Sequence, residues 1–281
     1  MYVGRFAPSP TGLLHQGSLA CALASYLDAR SHEGTFLVRI EDIDSYRCDP
    51  GFIAPILETL KACGIASDGP VLIQSQRLET YRGHLQALLD KGLAYPCSCT
   101  ASEILARNAL NGVPGRRYTG YCRQGLHGPA RSVRMRTEDA NVAFEDRRLG
   151  QVVQNVYADM GDFVLKRADG PFAYQLACVV DDALSGVTDV VRGEDILPST
   201  AAQMALFQAF DRPSPRYLHL PLVLDAQGRK LSKQNKSPAV TEDFLAHLES
   251  AFAFYGFPRI GADNLESFYR EAVALWGARF P

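Results

Sequence analysis

Apolar and polar positions follow two periods in turn along the chain. Residues 2–6 and 35–40 are short runs rich in aromatic and β-branched side chains, which predicts strands. Residues 17–31, 51–63 and 78–91 carry apolar positions at helical spacing, so the first third predicts βα units on a parallel sheet. From Ala94 cysteines, glycines and arginines dominate, with short β-like runs at 132–136, 142–145 and 163–166 and an irregular stretch at 100–117. This reads as an insertion in a doubly wound α/β fold. The sheet resumes at 187–192, and a helix follows over 200–210. The residues after Gln234 read as two helices, near 241–255 and 264–276. They are fewer than the ~50 an independent domain needs. The expected division is 1–94 and 171–236 as two halves of the α/β core, 95–170 as an inserted α+β subdomain, and 237–281 as a helical tail.

Charge sharpens this picture locally rather than globally. The formal net charge is −2, so any nucleic-acid contact must come from a patch. One exists: Arg107, Arg116, Arg117, Arg123, Arg131, Arg134 and Arg136 face a single acid, Glu103, between 103 and 136. An arginine run is most often a solvated surface. The chain opens directly into strand material, and no apolar stretch approaches the ~20 residues of a membrane helix. With seven cysteines, an odd number, the expectation is a reducing, cytoplasmic setting in which clustered thiols suggest metal before disulfide.

Two segments carry the chemistry. Pro8-Ser9-Pro10-Thr11-Gly12 breaks the first strand, and His15-Gln16-Gly17-Ser18 restarts the chain as a helix. That turn offers backbone N–H groups, a helix N-terminus and an imidazole to a phosphate. Far along the chain, Lys230-Leu231-Ser232-Lys233-Gln234 can place two ammonium groups over a triphosphate. Either segment alone could be a helix cap or a solvated loop. Together they resemble the HIGH and KMSKS signatures of class I aminoacyl-tRNA synthetases, worded as in the glutamate branch. Ser18 stands where HIGH has its second His, and Gln234 where KMSKS ends in Ser. The resemblance implies a Rossmann-like core that binds ATP through Pro8, His15, Gly17, Ser18, Lys230, Ser232 and Lys233, with Mg2+ accompanying the nucleotide. His15, Lys230 and Lys233 would be the catalytic groups, because carboxylate attack on the α-phosphorus needs alignment and positive charge rather than a base.

A glutamate pocket needs guanidinium groups for two carboxylates and a carboxylate for the ammonium. Arg5, Glu41 and Arg192 sit where predicted strands end, the place where open α/β sheets bind ligands. We expect Arg5 at the side-chain carboxylate and Glu41 at the ammonium; the alternative is that Arg39, Glu41 and Asp44 form surface ion pairs. The family resemblance adds Ala7, Ser9 and Tyr174 to this pocket. Cys97-Ser98-Cys99 and Cys122 offer three thiolates for a structural zinc, which wants a fourth ligand. Tyr118, Tyr121 and His127 are the nearby donors. The spacing resembles the zinc site of the short glutamyl-synthetase paralogues, which implies Tyr118. Cys21, Cys48, Cys63 and Cys178 fit buried thiols better.

Those short paralogues have no anticodon-binding region. The resemblance implies their activity: activation of L-glutamate by ATP without tRNA, then transfer to the queuosine base of tRNA(Asp). A monomer is expected. The alternative is a truncated glutamyl-tRNA synthetase charging a tRNA 3′ end.

Overall fold

The computed structural model describes residues 1–223 and 238–281. Lys230, Ser232, Lys233 and Gln234 therefore lie outside the described residues. No described helix is long and apolar enough to cross a membrane.

Strand β1 (Val3–Phe6) leads through helix α1 (Gln16–Ser31) to β2 (Thr35–Ile40), parallel to β1 with Arg5 opposite Leu37. A parallel pair needs such a crossover. Helix α2 (Ile53–Ala62) then returns the chain to β3 (Leu72–Ile73), again parallel. Helix α3 (Leu78–Asp90) carries it to β4 (Ala94–Cys97), α4 (Ala101–Leu110) and β5 (Ser132–Met135). A hairpin of β6 (Asn141–Asp146) and β7 (Gly150–Asn155), the short α5 (Val156–Asp159) and β8 (Val164–Lys166) follow. Strands β4, β5 and β8 form a separate antiparallel sheet. Helix α6 (Tyr174–Leu184), β9 (Asp189–Gly193), α7 (Thr200–Ala209) and β10 (Arg216–Leu220) complete the core, with β9 and β10 parallel. Helices α8 (Phe244–Phe254) and α9 (Leu265–Arg279) close the chain.

Thr188 joins the two halves: its backbone N–H donates to Val3 O at 2.9 Å, and its Oγ1 accepts the Val3 N–H at 2.9 Å. The strands thus run β3-β2-β1-β9-β10-β6-β7. One face is covered by α1, α8 and α9, the other by α3, α6 and α7, as a doubly wound sheet requires. Helix α1 is apolar nearly all round because the sheet lies on one side of it and the tail helices on the other. Asp28 on α1 ties these layers together: it accepts from Trp276 Nε1 at 2.9 Å, from Arg147 Nη1 at 2.6 Å, and from Tyr2. The tail is thereby part of the main core.

Strands β3, β4 and β10 and the short α5 were not in the sequence reading, and three further differences bear on the layout. Residues 101–110, expected as irregular, form α4, whose N-terminus is a capping box: Thr100 Oγ1 accepts the Glu103 N–H and Glu103 accepts the Thr100 N–H. Helix α6 was not anticipated: its run 176–182 is buried throughout, and its polar positions, Asp181 and Asp182, face buried partners rather than solvent. The β6–β7 hairpin, read from a β-like run at 142–145, extends the main sheet, with β6 parallel to β10.

Candidate active site and metal centre

Four buried charges converge where β1, β2 and α6 meet. Arg5 donates from Nε to Asp182 Oδ1 at 3.1 Å. Arg39 donates from Nη1 to the same oxygen and from Nη2 to Glu41 Oε1 at 3.0 Å. Burial would raise the Asp182 carboxyl, but Arg39 and Arg5 outweigh it and hold it at about 2. Burial lifts the Glu41 carboxyl above its usual range, with Arg39 opposing. The Arg39–Glu41 pair is therefore buried rather than a surface pair; it is Asp44 that meets Arg47 and Arg167 near the surface. The strap containing Ala7, Pro8 and Ser9 is fastened to the end of β2: the Glu41 N–H donates to Pro8 O at 3.0 Å and the Asp49 N–H to Pro10 O at 2.9 Å. Tyr174 opens α6 among these groups. Burial raises its phenol, and the charges it senses include Glu41, Arg192 and Arg5.

Arg192 ends β9 in a different environment. It is buried with its guanidinium 5.2 Å from the centre of the Tyr217 ring. Nε donates to His219 Nε2 at 3.1 Å, Nη1 to Gln203 Oε1 at 2.7 Å and Nη2 to Thr200 Oγ1 at 2.8 Å. His219 is held by Asp146, whose Oδ2 lies 2.7 Å from Nδ1. Burial depresses the His219 pKa, against the Asp146 hydrogen bond, so the imidazole is neutral. Nδ1–H then donates to Asp146 and the Nε2 lone pair faces Arg192.

His15 is the N-cap of α1. Its Nδ1 accepts the Ser18 N–H at 3.2 Å, and Nε2 lies 2.9 Å from Ser18 Oγ. Accepting at Nδ1 leaves the proton on Nε2, at the helix N-terminus that also carries Gly17. The neighbouring backbone is anchored from the far side of the chain, where the Val240 N–H donates to Leu14 O at 2.8 Å.

The Sγ atoms of Cys97, Cys99 and Cys122 lie within 4.8 Å of one another. Cys99 and Cys122 are 3.6 Å apart, and Tyr118 Oη is 3.2 Å from Cys97 Sγ and 3.5 Å from Cys99 Sγ. A tetrahedral zinc with Zn–S near 2.3 Å sets sulfurs about 3.8 Å apart and a sulfur and an oxygen about 3.5 Å apart. The Cys99–Cys122 and Tyr118–Cys99 distances match these values, and the three thiols could hold such an ion. Tyr121 and His127 do not join them: Tyr121 Oη donates to Asn108 Oδ1 at 2.9 Å, and His127 Nε2 lies 3.0 Å from Tyr121 O. Arg134 braces the cluster, with Nε donating to Cys97 Sγ at 3.3 Å and its guanidinium 3.9 Å from the centre of the Tyr118 ring. Burial raises the Tyr118 phenol and lifts the Cys99 thiol to about 11, whereas hydrogen bonds from Tyr118 and Ser98 draw Cys122 down to about 6 against its burial. A bound cation would lower them all. Gly161 makes the placement of Tyr118 possible: at φ +70°, a Cβ there would stand 2.0 Å from Tyr118 O.

Residues 2–262 match the family model of class I tRNA synthetases (E and Q), catalytic domain. The chain belongs to this family. It is 49% identical over 291 residues to the glutamyl-Q tRNA(Asp) synthetase of Burkholderia cenocepacia, covering 99% of this chain and 97% of that protein. It is 50% identical over 289 residues to the glutamyl-Q tRNA(Asp) synthetase of Leptothrix cholodnii, covering 98% and 96%. Among solved structures, a glutamate tRNA ligase from Elizabethkingia meningosepticum in complex with its amino acid superposes with a TM-score of 0.72 at 32% identity. The match covers 83% of this chain and 52% of that one, so the chain spans about half the length of the ligase.

For a class I synthetase the arginine patch divides in two. Arg123 is turned inward to Asp162, at 2.6 Å from Nη2, and Arg134 braces the cysteines. Arg116, Arg131 and Arg136 are exposed and have no acidic partner among the described residues. Sequence reasoning missed Asp182, Asp146, His219 and Gln203. The signal available was a polar residue inside an apolar run, as in Leu218-His219-Leu220, but nothing local names its partner.

Proposed function

We propose that this chain activates L-glutamate with ATP, without needing tRNA, and transfers the glutamyl group to the queuosine base in the anticodon loop of tRNA(Asp). The observation that carries this reading is near-full-length similarity to proteins named for that reaction. The site chemistry supports it. In this reading Arg5, Ala7, Ser9, Glu41, Tyr174 and Arg192 hold glutamate, and the α1 N-terminus with Pro8, His15, Gly17 and Ser18 receives ATP. A glutamate carboxylate oxygen attacks the α-phosphorus, and pyrophosphate leaves as the glutamyl-adenylate forms. Lys230 and Lys233 neutralise the departing charge, and Ser232 between them in the sequence joins them in binding ATP. Mg2+ accompanying ATP would supply further positive charge to the phosphates. A hydroxyl of the cyclopentene-diol of queuosine then attacks the acyl carbon, and AMP leaves. Cys97, Cys99, Tyr118 and Cys122 would hold one structural zinc, and the exposed arginines of 95–170 would meet RNA phosphate. The proposal retains the division at 1–94, 95–170, 171–236 and 237–281, and takes the protein to be a cytoplasmic monomer.

The test is transfer of labelled glutamate, with ATP and Mg2+, to bulk tRNA from queuosine-replete and queuosine-free cells. Label in the replete pool alone is expected. Equal label in both pools would mean charging of a 3′ end and would overturn the proposed acceptor.

A further inference from the structure

Arg5 and Arg39 each have a carboxylate partner, but Arg192, as deeply buried, pairs with no acid among the described residues. The acid behind it, Asp146, is saturated: it accepts the backbone N–H groups of Arg148, Leu149 and His219 as well as Nδ1–H of His219. His219 thus presents Arg192 with a neutral lone pair rather than a counterion. A guanidinium has five N–H donors. Three are taken by His219, Gln203 and Thr200, which leaves one on each terminal nitrogen.

Gln203, on α7, is 2% exposed. The guanidinium can only donate, so the Gln203 amide must turn its oxygen toward Arg192. Its nitrogen is directed elsewhere, and Nε2 is buried with no hydrogen-bond partner among the described residues. Buried donors are nearly always satisfied in native proteins. An unsatisfied amide beside a buried guanidinium with two unused N–H groups is a set of donors lacking its acceptor, and a carboxylate is the group that matches both the charge and the donors.

We infer that Gln203 contacts the substrate, its amide nitrogen joining Arg192 in a cradle for one carboxylate of the amino acid. The inference rests on the glutamate reading above and adds a residue to it. Thr200 and His219 are positioning residues that hold the guanidinium in place.

The test is calorimetric binding of glutamate, glutamine and isoglutamine to the full chain, with ATP as control. Glutamine keeps the α-carboxylate and isoglutamine the side-chain one. Gln203→Met should weaken glutamate about 10- to 100-fold, the range for a hydrogen bond to a charged group. It should weaken only the amide that keeps the cradled carboxylate, and leave ATP unchanged. Gln203→Glu, which keeps an oxygen for Arg192 but replaces the donor, should weaken that same ligand further. The loss on Gln203→Met should persist in an Arg192→Met background, where no guanidinium remains to be positioned. No further loss there, or equal weakening of all ligands including ATP, would overturn direct contact. Wild-type affinity in Gln203→Met, with the wild type binding glutamate, would sink this inference alone. A wild-type chain that bound no glutamate would overturn the functional reading and this inference with it.

Discussion

The charged nest around Asp182 and the cysteine cluster around Tyr118 solve the same problem, burying polar groups, in opposite ways. The nest draws its members from distant parts of the chain, Arg5 and Arg39 from the first two strands and Asp182 from α6, and closes with charges of both signs. Its surroundings are two large apolar clusters that cover the sheet. The cysteine cluster gathers residues 97–122 around a satellite core of six buried side chains: Tyr95, Cys97, Cys99, Ile104, Tyr118 and Cys122. So small a core needs a staple, and three thiols with a phenol at tetrahedral spacing can hold one. The charged nest rests on a core that would exist without it, whereas so small a satellite would gain more from a metal at its centre.

Removing metal should separate the two regions most. Purified protein is expected to carry about one zinc per chain. A structural zinc contributes on the order of 10 kcal/mol to a small metal-dependent fold. Chelation should therefore expose residues 95–135 to amide exchange while the strands around Arg5 stay protected. A zinc-free protein with full protection there would break the contrast.

Asp182→Asn should come next, destabilising by about 3–5 kcal/mol because Arg5 and Arg39 would lose their shared counterion inside the core. The pH dependence has a definite sign. Asp182 titrates at about 2 when folded, below the ~3.9 of an unfolded aspartate. Its contribution is complete above pH ~4 and fades as pH falls toward 2, so the gap between wild type and variant should narrow over that window in urea titrations. A gap that stays constant with pH would contradict the ion-pair account.

Lys233→Ala tests the nucleotide side and should cost about 2.7–4 kcal/mol of barrier in glutamate-dependent ATP–pyrophosphate exchange, by analogy with the loss of one transition-state donor. Near-normal exchange would remove the loop assignment. Gly161→Ala comes last, its effect confined to one region: it adds about 1–2 kcal/mol of left-handed strain to the collision of its Cβ with the Tyr118 backbone. It should lower zinc content more than it lowers exchange activity, and equal losses would mean that the two regions fold as one.

Much of this was legible in the sequence because its signals are local. The period of apolar positions located β1, α1, β2, α2 and α3 to within a residue or two, and missed the two-residue β3. The Thr100–Glu103 capping box shows a signal that was present and unused. Helix α6 could not be read so easily, because its polar positions, Asp181 and Asp182, face buried partners instead of the solvent-facing stripe that marks a surface helix. In the site, Arg5, Glu41 and Arg192 were legible as charges at strand ends. Which acid each would meet was not, since Asp182 lies 177 residues from Arg5.

By itself the sequence determined the family, most strands and helices of the first third, the two motif segments and the three thiols, since each depends on residue type and on spacing between near neighbours. The tertiary structure decided the pairings. It put Asp182 between two arginines, turned Arg123 and Arg134 inward from the cationic surface, set Tyr118 rather than Tyr121 or His127 against the sulfurs, and left Arg192 without an acid and Gln203 Nε2 without a partner among the described residues. Hydrogen bonds and ion pairs act over a few ångströms, and which groups come that close is set by how the sheet and its helices pack.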